Sequence, residues 1–497
     1  MRPERAQLPE VVRRLLEPQA VGLKVTADST AAAGAPVRVT VEVRNGAGAT
    51  ATGFTAQVPL VLIGAGGHSR VAEVCVTEGV GHADIRVAEA GIYRAQALVS
   101  EGLRATSDPI EITTKAPALR LLWGDIHAHI RERRAQALIS EADELMGPPT
   151  VQAALAWARD VAGLHFAAIT DHDLKLTDAE WVQTIEDARV ATEDGRFVAF
   201  PGYEWGDSSG IAMNYGHRQV LYRRSRVRGV EPVPLLRCTE PPTHTAPGLY
   251  AALRAAVPVA DVLVVPHHTA RGGGQTWMNW DYFDPELERL CEVFSIWGSS
   301  ERMGEPYPIR YLPSGGYFGA AEARGHHLQD GLARGYRFGF TAGSESHDGR
   351  PGGALVHGPH VIAESDLLAP PGITGVWAES LSRDGIFDAL RARRCYATTG
   401  ARMIVRFALG ETPMGGEVAA DGLSGPPELR TEVIGTAPIA SCELVRGNEA
   451  IDNASSATES LAVTLRDGRR AEPGDCYYLR VRQRDGQMAW ASPIFIR

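Results

Sequence analysis

The sequence predicts an α/β core carried between two β-rich regions. Three observations predict it: short alternating strands between Gly- and Asn-containing turns over residues 22–115, repeated strand–helix alternation from Leu119 to about residue 400, and a return to short alternating strands beyond that point. The division that follows is 1–118, 119–400 and 401–497. A chain of 497 residues exceeds what one compact core organises, on a scale of roughly 100 to 200 residues per domain.

In the first region VRVTVEVRN, RVAEVCVTE, ADIRVAEAG and IYRAQALVS read as the strands of a β-sandwich. In the second, LRLLWGDI, HFAAITD, FVAFPGYEW, VLVVPHH, EVFSIWG and ARGYRFGFTAG are strand candidates, and VQAALAWARDVAG, EWVQTIEDARVATEDG and YAALRAAV are helical. Val151, Leu155, Ala158 and Val161 mark one helical face, with Gly163 placed as its C-terminal cap. This alternation suggests an α/β barrel or a doubly wound sheet, closed near Gly400 by the helix LSRDGIFDALRARR. Beyond it IVRFALG, ELRTEVIG, ASCELVRGN, LAVTLRD and CYYLRVRQRD predict a second sandwich-like region.

Composition excludes several classes. Hydrophobic residues at 44% and charged residues at 22% are ordinary for a globular chain, against long disorder or coiled coil. Fifty Lys plus Arg against sixty Asp plus Glu give a net charge of -10 without a basic block, which argues against general affinity for nucleic acid or an anionic membrane. An anionic small-molecule substrate would therefore need local positive charge. The six cysteines lie far apart with no C-x-x-C pair, so neither a disulfide framework nor a thiolate zinc site is readable. The opening MRPERAQLPEVVRRLLEP lacks an apolar h-region, and nowhere do 18 apolar residues run together. These features predict buried free thiols and a cytoplasmic protein; a homo-oligomer is compatible with them.

Eleven of the fifteen histidines fall between residues 120 and 350, and the informative ones stand at the ends of predicted strands. WGDIHAHI puts Asp125, His127 and His129 on one face at i, i+2 and i+4, so two imidazoles can chelate one cation while Asp125 braces a ring from behind. ITDHD offers His172 as a ligand and Asp171 as an orienting or proton-transfer group; in an extended segment these neighbours face oppositely unless the strand is ending. FVAFPGYEW ends in Glu204, whose carboxylate can bridge two cations, and His217 follows thirteen residues later. VLVVPHH supplies His267 and His268, of which alternation predicts one, with more weight on His267, to face inward. FGFTAGSESHDGR repeats the i, i+2 arrangement with Glu345 and His347. His165, His326, His327, His357 and His360 lack such placement and read as structural or exposed.

These segments in this order resemble the PHP (polymerase and histidinol phosphatase) superfamily of metallohydrolases, with its H-x-H, T-D-H, strand-end Glu, two separated His and closing G-S-D-x-H. WGDIHAHI, ARDVAGLHFAAITDHD, GRFVAFPGYEW, GHRQVLY, VPHH and RARRCYATTGARM are similar to a PHP-like branch known only as a domain of unknown function. The resemblance spans about residues 119–405 and implies a distorted (β/α)7 barrel with two or three divalent cations (Mn, Zn or Fe) at its mouth. It places His127, His129, Glu204 and Glu345 around one metal, His172 and His347 around a second, and His217 with His267 or His268 around a third that shares Glu204. Two departures stand out: Glu345 replaces the usual Asp, and Ala135 falls where many members carry a further ligand, leaving Glu132 or Glu141 to compensate.

The expected activity is metal-dependent hydrolysis through a metal-bridged hydroxide, with a phosphate ester as the most natural substrate. Asp171, or whichever of His267 and His268 is not a ligand, would pass a proton to the leaving group, and Arg271 and Arg350 would contact phosphate. Alternatives are a metal-dependent amide, ester or carbon–carbon hydrolase, and a non-catalytic binding protein. A serine hydrolase on Ser208 is suggested by Gly206–Gly210, which matches G-x-S-x-G but lacks a following helix.

Overall fold

The computed structural model describes residues 20–46, 48–131, 147–206, 215–227, 232–272, 276–304, 306–309, 322–357, 360–361 and 369–497. Residues of the N-terminal region form a three-stranded antiparallel sheet (Gly22–Ala27, Pro36–Arg44, Val80–Arg86) and a six-stranded sheet that includes Ala56–Gly64, Gly67–Val76 and Gly91–Ser100. Period-2 spacing explains how they share a core: Val37, Val39, Val41 and Val43 are fully buried on one face of Pro36–Arg44 and join Val58, Leu60, Val74, Ala95 and Ala97.

The predicted (β/α)7 barrel is not what the chain forms. Among the described residues the protein is mostly β, 42% strand against 15% helix with five α-helices, and the sheets they form do not close into a barrel. The reason lies in strand direction. Arg120–Asp125, Phe166–Ile169 and Val198–Trp205 pair in parallel, joined by the helices Val151–Asp160 and Asp178–Ala191 as the alternation predicts. After Val198–Trp205, however, Arg218–Tyr222 and Val262–Pro266 each pair antiparallel. On the other edge Ile373–Ala378 joins Arg120–Asp125 antiparallel, and Cys395–Thr398 continues antiparallel into Met488–Ala491. The result is a 13-stranded sheet that runs from the central region into C-terminal strands. Leu290–Ser295 and Gly339–Ala342, parallel to each other, belong to a separate three-stranded sheet.

Local signals set the helices. Thr150 caps Val151–Asp160 by accepting from the Ala153 N–H, and Val151, Ala154, Leu155 and Ala158 are its buried face. Its C-cap is Val161 rather than Gly163, which lies two residues on at φ 63°. Thr177 and Glu180 form a reciprocal capping box before Asp178–Ala191. Gly124 is required by close approach: a Cβ there would meet the Phe166 ring at 2.3 Å. The cysteines are free; Cys238, Cys291, Cys395 and Cys442 are buried as expected, but Cys75 is exposed. No helix of the described residues is long and apolar enough to cross a membrane.

Candidate metal centre

The three parallel strands end at a common edge, and the strand pairing brings the remaining chemistry there. Arg218 lies opposite both Trp205 and Pro266, so His217 enters its antiparallel strand at the edge where Glu204 and His267 leave theirs. His172 forms a parallel bridge with Glu204, and Ala128 with Ser346, which draws the closing motif in beside His127 and His129.

Glu204, 1% exposed, is the focus. Its Oε1 lies 2.6 Å from His217 Nδ1, 3.0 Å from His267 Nε2 and 3.7 Å from His172 Nδ1. Its Oε2 lies 3.2 Å from His129 Nε2 and 3.6 Å from His127 Nε2. Five imidazoles therefore converge on one carboxylate. Glu345 completes the cluster, with Oε1 3.7 Å from His268 Nε2 and Oε2 4.0 Å from His127 Nδ1, held by the Ser295 hydroxyl at 2.7 Å. His347 packs edge-on against His129, ring centroids 5.0 Å apart, and His172 stacks on its ring at 5.3 Å.

Three groups of donors lie close enough together to hold a cation: Glu204 with His217, His267 and His268; His127 with His129 and Glu204; and His127 with His267 and Glu345. Both members of the histidine pair thus turn toward the site. Alternation does not govern them because the strand ends at Pro266 and His268 adopts φ 32°. The same explanation serves Asp171 and His172, which follow the strand ending at Ile169.

Whether these residues fit a cation is tested by their unpartnered atoms. His127 Nε2, both ring nitrogens of His129 and of His268, Glu204 Oε2, His217 Nε2 and His267 Nδ1 are buried without a hydrogen-bond partner. Buried polar atoms left unpaired are costly in a purely structural role, on the order of 1–3 kcal/mol each, and a set of imidazole nitrogens and carboxylate oxygens is what a divalent cation takes. Burial, and then the charge of His127 on His267 and of His267 on His268, holds both rings well below the usual imidazole range, in their metal-binding form. Burial would raise the Glu204 carboxyl, but the surrounding histidines hold it well below its ordinary value. His127 is raised well above its own, since Glu292 and Glu345 outweigh burial.

The remaining predicted residues are placed as follows. Asp171 Oδ1 accepts from the Ile130 and Arg131 N–H groups at 2.8 Å, so it fixes the turn after His129. Arg271 stacks over Trp297, 4.1 Å from the ring centroid, and its charge acts on both His268 and Glu345. Arg350 pairs with Asp348 at 2.5 Å. Asp125 does not brace an imidazole: it accepts from the His127, Ser344 and Gly352 N–H groups and the Ser344 hydroxyl, tying the first and last motifs together. The carboxylate behind His127 is Glu292, 3.0 Å from Nδ1. Sequence reasoning missed it because EVFSIWG carries no histidine; its one signal was an acid inside a strand buried throughout. His165 is structural, its ring joining the Trp123 N–H to Asp28. Ser208, Glu132, Ala135 and Glu141 lie outside the described residues.

The site is thus a buried His/Glu cluster able to hold metal ions in a mostly β protein. The chain matches a family of proteins of unknown function, DUF3604, over residues 150–290 and 358–421. It is 31% identical over 432 residues to an uncharacterized protein of Chlamydia trachomatis serovar D, and 27% identical over 433 residues to one of Chlamydia pneumoniae. Each alignment covers 82% of this chain and 62% of the relative, so the chain spans about three fifths of the length of these proteins. Among solved structures, a two-domain protein from Bacteroides vulgatus containing a predicted PHP-like metal-dependent phosphoesterase aligns with 76% of this chain and 96% of its own. The identity is 10% and the TM-score 0.33, too slight a likeness to carry an argument.

Proposed function

We propose that this chain is a metal-dependent hydrolase of the PHP type acting on a phosphate ester. The observation that carries the reading is the convergence of five histidines on the single buried carboxylate of Glu204. His127, His129 and Glu204 would hold one cation, with His127, His267 and Glu345 adjoining, and Glu204, His217, His267 and His268 would hold another. His172 and His347, each packed against the His129 ring, are further donors. When bound, such cations supply Lewis acidity toward a phosphoryl oxygen and lower the pKa of water at the site.

The chain's own groups supply the rest. Glu204 and Glu345 give the cluster its negative charge, matched to cations rather than to an anionic substrate. Arg271, whose Cζ lies 4.1 Å from the Trp297 ring centroid, supplies a guanidinium suited to bidentate contact with an anionic small molecule. Asp171 uses Oδ1 to fix the turn after His129; Oδ2 stands 3.6 Å from Arg131 Nε as the atom able to carry a proton to a leaving group. Arg350, engaged by Asp348, supports the loop after His347.

The test is metal analysis of the purified chain followed by a panel of aryl phosphates and phosphodiesters with and without chelator. The reading expects two to three equivalents of Mn, Fe or Zn and chelator-sensitive phosphoester hydrolysis. Stoichiometric metal without phosphoesterase activity transfers the proposal to amide, ester or carbon–carbon substrates, and metal-free protein refutes it.

A further inference from the structure

We propose that Glu292 is the positioning residue of the metal centre: its carboxylate accepts the Nδ1–H of His127 and so commits that ring's Nε2 lone pair to a cation. The inference rests on the metal-centre reading and deepens it.

Glu292 sits within the Leu290–Ser295 strand, on the sheet beside the one that carries His127, and is 1% exposed. Its two oxygens lie 3.0 and 3.1 Å from His127 Nδ1. A carboxylate only accepts, so the ring keeps a proton on Nδ1, and Nε2 is the nitrogen whose lone pair a cation would take. That nitrogen is buried without a hydrogen-bond partner and faces Glu204 Oε2 at 3.6 Å. Gln219 Nε2 donates to Glu292 Oε2 from the other side at 3.4 Å. Glu345 stands farther from His127 Nδ1, at 4.0 Å, and Asp125 is engaged by backbone N–H groups and the Ser344 hydroxyl.

A second, independent feature protects this contact. A Cβ at Gly343 would fall 2.6 Å from Glu292 Oε2 and 2.5 Å from His127 Cβ. Gly343 has no positive φ, so it is the close approach of the carboxylate–imidazole pair that excludes a side chain there. A metal-ligating histidine whose other nitrogen is bound to a carboxylate keeps its orientation and tautomer, and losing such a partner typically weakens metal binding by about 10–100-fold.

The experiment measures Zn2+ affinity by chelator competition for the full chain and for E292L, E292Q, G343A, H127A and H127A/E292L, with the melting temperature of each metal-free protein as a folding control. E292L and G343A should each bind Zn2+ about 10–100-fold more weakly, while E292Q, whose amide oxygen still accepts the Nδ1–H, should stay within about threefold of the parent. In the H127A background E292L should change affinity by less than about threefold, because the ring it positions is gone. The inference is overturned by E292L binding Zn2+ like the parent, by an equal loss in both backgrounds, or by folded E292Q losing as much as E292L. If E292L does not fold, G343A against E292Q decides by the same margins. The outcomes separate the two readings: a parent chain that binds no Zn2+ sinks the metal centre itself, whereas H127A with unchanged affinity, or H127A that loses Zn2+ beside an unaffected E292L, sinks the positioning role alone.

Discussion

Replacing Arg218 with Met should destabilise the fold more than any ordinary substitution at the strand edge. Its side chain and that of Glu288 are fully buried. Nε donates to Glu288 Oε1 at 2.7 Å and to the Tyr250 hydroxyl at 2.8 Å, and Nη1 donates to the Tyr215 and Gly216 carbonyls. Burial raises the Glu288 carboxyl against the opposing pull of Arg218, whose guanidinium does not give up its proton and is the counter-charge this buried carboxyl relies on. Met would fill part of the space and leave Glu288 with only the Tyr250 hydroxyl and the Asp284 N–H as donors. Stranding one partner of a buried pair costs about 3–5 kcal/mol, and removing both partners costs much less, because no uncompensated charge remains. R218M should therefore lose about 3–5 kcal/mol, and R218M/E288L should recover at least about 2 kcal/mol of it. The assay is guanidinium chloride unfolding of chelator-treated protein, comparing midpoints of parallel curves. An R218M loss below about 1 kcal/mol, or a double variant no better than R218M, would refute the claim that the buried pair braces this edge.

Three further outcomes follow from the same structure. H127A/H129A should lower the metal content of the purified chain, measured by elemental analysis; unchanged content contradicts the assignment of those rings. Burial would raise the Asp28 carboxyl, yet the hydrogen bonds from His165 and from the Arg38 N–H outweigh it and hold it below the ordinary aspartate value. A carboxyl depressed on folding contributes stability that is present above its unfolded value of about 3.9 and is lost as pH falls through the folded value. The stability difference between parent and D28N should then be full at pH 7 and shrink below about pH 4; a difference that does not change with pH would refute it. T177A removes the capping box before Asp178–Ala191 and should cost about 0.5–2 kcal/mol by thermal or denaturant unfolding; an unchanged midpoint would show that the cap contributes nothing.

The histidines and glutamates that converge at the site stand out in the sequence as candidate donors, whereas the architecture that brings them together does not. Ligand chemistry declares itself locally: H-x-H at i and i+2, a Glu closing an apolar strand, and a pair of histidines after VLVVP each announce donors at a strand end. Strand direction does not. GHRQVLY reads equally well in either sense, and only the pairing of Arg218 with both Trp205 and Pro266 shows that its strand returns antiparallel. The same blindness applies to Ile373–Ala378, whose antiparallel insertion beside Arg120–Asp125 sends the sheet toward the C-terminal strands instead of around a barrel. Glu292 was hidden for a related reason: a lone acid in a buried strand acquires meaning only from the histidine that tertiary packing sets behind it.

The one place where a local rule misdirected the site reading is informative in itself. Strict alternation turns adjacent strand residues to opposite faces, so His267 and His268 should not have met the same partners. They do because His268 leaves the strand at φ 32°, and across the cluster Glu345, whose Oε1 lies 3.7 Å from His268 Nε2, sits at φ 48°. Left-handed backbone at residues other than glycine costs on the order of 1–3 kcal/mol each and persists only where surrounding contacts impose it. Here the contacts are buried polar ones, which a hydrophobic core would have no use for. Two left-handed residues whose side chains meet at 3.7 Å among buried imidazoles are the kind of local departure from regular backbone that a site built to place donors requires.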